Sequence, residues 1–241
     1  MDKIYRLRPA NDKTLEELTE HYLWFSRPTE YKDFEDANVI AFSKKNETVK
    51  DLFDRVFGDA KILGTELSRL GICCFTKLLP EVPKWSKFPK GYNSIFIEYD
   101  KNLIEEYFLS NYYLGECFKD VQYKENPLVL QSSAENGYDV LWEETDDGIL
   151  YKSLRGDIAC DEKLMDEFIL RFLTTINNRY EKQKETRIIL PYRAVKDEPE
   201  RSLGYKIVIP KESIIKIYYS ANTDEEFIEK MNKMGFATEK K

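Results

Sequence analysis

Tyr180–Leu190, YEKQKETRIIL, marks a change of periodicity in the chain. Upstream, Leu164, Met165, Phe168, Ile169, Phe172, Leu173 and Ile176 recur at helical spacing behind a capping Asp161, which predicts a long amphipathic helix. From Glu185 the residues read as a strand that runs to Pro191. Glu185 and Arg187 stand two positions apart, so a strand projects both from one face, while Ile188 and Leu190 take the other parity. A carboxylate beside a guanidinium where a strand enters the fold is either a structural ion pair or the polar centre of a site.

Working outward, Ile4–Arg8 reads as a short first strand with Tyr5 and Arg6 on opposite faces, followed by a helix marked by Leu15, Leu18 and Tyr22. Leu23–Ser26 is extended and stops before Pro28. Val49, Leu52, Phe53, Val56 and Phe57 form a helical stripe, and a second helical stretch leads through Gly71 into the strand ICCFT. Ser94–Tyr99 is bulky almost throughout and reads as a central strand, with Glu98 either solvated or in a pocket. Leu103, Ile104, Tyr107 and Phe108 mark another helix, and Cys117–Tyr123 alternates as one half-buried strand.

Asp146-Asp147-Gly148 is a turn signal between two hairpin strands. Tyr205–Ile209 and Ile214–Tyr219 are strands, and Thr223 with Glu226 spells a capping box for a last helix. The tail from about residue 237 is expected to fray. Helices lie among strands without a regular βαβ rhythm. The expectation is an α+β fold over residues 1–241 as a single domain, with a bent mixed β-sheet flanked by helices.

Composition narrows the chemistry. Asp and Glu number 44 against 37 Lys and Arg, a net charge of -7, which argues against bulk capture of nucleic acid. No apolar run approaches the roughly 20 residues that span a bilayer, and the N-terminus lacks the apolar core of a signal peptide, so the expectation is a cytoplasmic protein with no membrane partner. His21 is the single histidine, which removes paired-histidine metal sites and leaves one imidazole for any nucleophile. Cys73, Cys74, Cys117 and Cys160 show no metal-ligand spacing and read as free thiols; no metal is expected.

At LWFSRPTEYKDFED the chain resembles a bacterial and phage family known as domain of unknown function 2971. The phrases that carry the resemblance are Tyr5 with Arg6, then Trp24, Ser26 and Pro28, then Tyr31, Asp33 and Asp36, with Lys32 and Phe34 where the family has Asn and Pro. Cys74-Phe75-Thr76, Trp85-Ser86-Lys87-Phe88 and finally Gln183, Glu185 and Arg187 follow in family order. The order is also similar to that of ADP-ribosyltransferases. It implies NAD as cofactor and a role in bacterial or phage conflict, as a toxin or defence effector. Under that resemblance Arg6 clamps NAD, Trp24 or Trp85 packs on a ring, Ser26 or Ser86 gives a positioning hydrogen bond, Gln183 orients the acceptor and Glu185 is catalytic. Tyr5, Tyr31 and Arg187 complete the cofactor-binding set. The chemistry needs a carboxylate near the ribose because the transition state is oxocarbenium-like.

Two readings from other classes stand beside it. Sixteen Tyr and fourteen Phe in an acidic chain suit a non-catalytic module that binds a protein or nucleotide partner. Asp33, Asp36, Glu98 and Asp100 are the acids that a metal-dependent nuclease would use. In the bland reading Arg6 covers a sheet edge or pairs with Glu185, and the tryptophans are core.

Overall fold

A computed structural model describes residues 2–27, 69–81, 93–124, 140–145, 148–153, 170, 173–195 and 203–241. The fold is α+β and centres on a mixed sheet. Its strands are β1 (Lys3–Pro9), β2 (Tyr22–Ser26), β3 (Gly71–Thr76), β4 (Ser94–Asp100), β5 (Phe118–Asp120), β10 (Glu185–Leu190), β11 (Gly204–Val208), β12 (Ile214–Tyr219) and β13 (Thr238–Lys240). Their order is β11-β2-β3-β1-β4-β12-β13, with β10 against β3 and β5 against β10. Every pair is antiparallel except β12 with β13.

β3 is the branch point of this sheet. Along one edge it pairs with β10 over its full length, from Glu185 opposite Thr76 to Leu190 opposite Gly71. On the other side β1 meets it at Tyr5 and Thr76, and β2 at Ser26 and Ile72. The sheet therefore splits between β1 and β2.

Helices α1 (Asp12–Glu20), α2 (Lys101–Tyr112), α3 (Tyr192–Val195) and α4 (Glu225–Lys233) complete the described elements, with a 3-10 helix at Asn178–Gln183. Leu18, Ile104, Phe108, Phe227 and Met231 from α1, α2 and α4 pack with Ile4, Cys73, Ile95, Ile97, Tyr99, Ile188 and Ile217 in one buried cluster. This is the core face, and β4 crosses its middle with every residue buried. Two small ladders stand apart: β6 (Gln122–Lys124) runs parallel to β9 (Thr175–Asn177), and β7 (Val140–Thr145) pairs with β8 (Gly148–Ser153), Thr145 opposite Gly148, as the turn signal predicts.

Five expectations change. The first helix stops at Glu20, with His21 in a left-handed backbone, so Tyr22 opens β2 instead of continuing the helical stripe. The long helix does not reach Ile176, because Thr175–Asn177 is a strand and the chain tightens into the 3-10 helix before β10. Cys117–Tyr123 is not one strand: Val121 is buried between β5 and β6, which belong to different ladders. Asp224, not Thr223, caps α4 by accepting from Phe227 N, while Thr223 Oγ1 donates to Ser94 O. The tail does not fray; Thr238–Lys240 adds to the sheet beside β12. The stripe from Val49 to Phe57 lies outside the described residues, as does most of the stripe from Leu164 to Phe172.

Candidate functional site

β10 begins immediately after a sharp reversal. Lys184 takes a left-handed backbone, φ 46°, at the end of the 3-10 helix, and Lys77 N donates to its carbonyl. Glu185 N then donates to the Tyr123 hydroxyl at 2.7 Å. The Glu185 carboxylate accepts from Arg187 Nε at 2.7 Å and from its second terminal nitrogen at 3.2 Å, and the remaining terminal nitrogen donates to Leu173 O at 2.7 Å. With the Arg187 side chain 2% and that of Glu185 10% exposed, this is a forked, buried ion pair that also ties β10 to the segment before β9. Burial pushes the Tyr123 phenol up to about 12, and the Glu185 charge adds to the rise.

The register places the expected site residues on two faces. Glu185 lies opposite Thr76, Thr76 opposite Tyr5, and Tyr5 opposite Glu98, so these side chains share the face away from the core cluster. Arg6 has the other parity, that of Ile4. The structure does not bring Arg6 and Glu185 together. Arg6 is buried and pairs with Glu17 of α1, whose second oxygen lies 2.7 Å from Arg8 Nε. A second terminal nitrogen of Arg6 donates to Trp24 O at 2.9 Å, tying β1 to β2 across the split in the sheet. The guanidinium is thus a structural clamp rather than a cover for the sheet edge or a partner of Glu185.

Of the other expected residues, Tyr5 is half-buried beside Tyr218, and Trp24 and Ser26 are half-buried on β2 opposite Lys206 and Gly204. Trp24 is not among the buried core residues. Gln183 closes the 3-10 helix, where its carbonyl accepts from Thr76 Oγ1 at 2.6 Å. Tyr31, Trp85, Ser86, Asp33 and Asp36 lie outside the described residues. Glu98 and Asp100, the remaining nuclease acids, have other work: Asp100 caps α2 by accepting from Asn102 N and Leu103 N, and Glu98 accepts from Tyr218. Among the described residues no group of three or more His, Cys, Asp or Glu is placed to hold a metal ion.

A cavity of about 720 Å³ opens where β1 begins, beside α2 and β5. Ile4, Phe118 and Thr186 supply its inner wall, and Lys3, Lys77 and Lys101 stand around it together with the acids Asp2, Glu105, Glu116 and Asp120. Thr186 projects to the side opposite Glu185, so the cavity and the forked pair are separate. Lys77 pairs with Asp120, and Lys101 Nζ lies 3.4 Å from Glu105 and 5.8 Å from the Phe118 ring centroid. Lys77 is 48% exposed and Asp120 63%, so their attraction is screened and the ammonium can change partners at little cost.

Two residues that matter here have no counterpart in the motif reading. For Glu17 the signal is indirect: Arg6 and Arg8 share the parity of core-facing Ile4 and so require an internal anion, without showing which acid supplies it. Tyr218, a strand residue until the sheet brings it to Glu98, has no local signal at all. No protein-family model matches the chain, and no curated protein or solved structure matches it either, so the family resemblance rests on the sequence phrases alone. No described helix is long and apolar enough to cross a membrane.

Proposed function

We propose that this chain is a non-catalytic binding module that holds a nucleotide in the cavity between β1, α2 and β5. The observation that carries this reading is Lys77 and Lys101, each held only by a carboxylate that is itself open to solvent, beside an inner wall that contains the Phe118 ring. Lysine is a point-charge partner for phosphate, and an aromatic ring accepts a stacked base regardless of its sequence identity. The volume suits a ligand of nucleotide size. Glu105 and Asp120, which now engage Lys101 and Lys77, accept hydrogen bonds from ribose hydroxyls or exocyclic amines once phosphate takes the lysines.

The transferase reading asks for Arg6, Glu185 and an aromatic group in one cleft. The separation of Arg6 from Glu185 by the sheet and the commitment of both side chains to buried partners favour the binding module. A place in bacterial or phage conflict follows from the family resemblance and belongs to the same proposal.

Isothermal titration with ATP, ADP and NAD tests this directly. Saturable binding is expected, weakened about tenfold by Lys101→Ala or Lys77→Ala, equivalent to about 1.4 kcal/mol each. No saturable binding of any of the three at millimolar concentration by the folded protein would overturn it. Nicotinamide release from NAD that disappears in Glu185→Gln would instead establish the transferase.

A further inference from the structure

The face of the sheet away from the core holds a second polar centre, which shares only Lys3 with the rim of the cavity. Glu98 is 0% exposed at the middle of β4. One of its oxygens accepts from the Tyr218 hydroxyl at 2.6 Å, and the other lies 2.9 Å from Lys3 Nζ. The Tyr5 and Tyr218 rings stand beside it with centroids 6.3 Å apart and planes tilted by 55°. The Tyr218 ring carries two further ammonium groups, Lys241 Nζ at 4.9 Å and Lys216 Nζ at 5.8 Å from its centroid. A second carboxylate, Glu239, pairs with both of those lysines.

Ammonium groups from three separate strands or chain ends therefore converge on one carboxylate and its tyrosine walls. A tyrosine face attracts a cation through its quadrupole, and a desolvated carboxylate beneath it adds full charge. Lys3 is the most exposed of the three, with 46% of its side chain open to solvent against 34% for Lys216 and 37% for Lys241. It can swing out without disturbing the core, whereas Glu98 cannot leave β4.

We propose that Glu98, Tyr5 and Tyr218 form a recognition site for an alkylammonium group, which Lys3 occupies in the structure and which an incoming ligand enters by displacing Lys3. The shared chemistry is that of a free polyamine and of a lysine side chain on a partner. Glu239 becomes a second anionic point when a further ammonium of the ligand displaces Lys216 or Lys241 from it, which favours a ligand with more than one ammonium.

The test titrates spermidine, and separately N-acetyl-lysine methylamide, into the wild type, Lys3→Ala and Lys3→Ala/Glu98→Gln, following the Tyr5 and Tyr218 ring signals by NMR. Lys3→Ala is expected to bind spermidine about tenfold more tightly than the wild type, since the resident ammonium is gone. The double variant should lose this binding, which separates the site from the general attraction of a polycation to a chain of charge -7. If Glu98→Gln does not fold, Lys3→Ala/Tyr5→Leu replaces it and should weaken binding about tenfold. Tighter binding of spermidine than of the lysine analogue assigns a polyamine, and equal binding assigns a partner lysine. No gain in Lys3→Ala, or binding undiminished by loss of Glu98 or Tyr5, would overturn the site.

Discussion

Arg6 and Arg187 are both buried guanidiniums on neighbouring parts of one sheet, yet they differ in how far their partners lie along the chain. Arg187 is held by Glu185 two residues away, a relation that strand parity makes visible. Arg6 is held by Glu17, eleven residues on and in a helix, and no strand pattern points there. Glu17→Gln should leave two arginines facing an uncharged amide and cost about 3–5 kcal/mol, the usual penalty for breaking a buried pair from one side. Urea unfolding measures this; a loss below about 1 kcal/mol would put the cluster in the class of surface bridges. Arg6→Ala, which strands Glu17 in the same way, is a stability variant before it is a binding variant.

At the scale of elements, the legible parts were those whose pattern is local. β4 announces itself by unbroken bulk, α2 by its apolar stripe, and the β7–β8 hairpin by its turn. The failures share a cause: alternation in Cys117–Tyr123 continues while the chain changes ladders at Val121, because a buried apolar residue serves either arrangement. Likewise Ile176 satisfies a helical stripe and a strand equally well. Gly204 gives an element-scale prediction. Its φ is 155°, and a Cβ there would lie 2.1 Å from Phe25 O, so alanine must either distort β11 or push it from β2. Gly204→Ala should cost about 1–3 kcal/mol and lower the thermal midpoint; an unchanged midpoint would show that the β2–β11 pairing gives way freely.

For the whole molecule, α+β and a mixed sheet flanked by helices could be read from the order of elements, but strand order could not. β1 sits between β3 and β4, and β4 between β1 and β12, pairings set by contacts across most of the chain. The buried charge at the centre makes stability depend on acid. Burial works to raise Glu98, but hydrogen bonds from Tyr218 and Lys3 and the charges of Lys3 and Lys216 outweigh it and hold the carboxyl below its ordinary 4.5. A carboxyl with a depressed folded value stabilises the protein above its unfolded value and stops doing so as pH falls through the folded one. The urea midpoint of the wild type should therefore exceed that of Glu98→Gln at neutral pH, with the gap closing below about pH 4.5. A gap that is constant from pH 7 to pH 3 would mean that the charge of Glu98 is not what stabilises β4.

The place of β4 also bears on how the protein is made. Its residues emerge well before those of β12, so one of its two edges has no partner until Ile214–Tyr219 has been translated. During that interval a nascent chain presents a bulky strand with an unpaired edge, the kind of surface that chaperones hold and that neighbouring nascent chains can capture. Yield on expression is then governed by how well the cell shields β4 during elongation as much as by the stability of the finished fold.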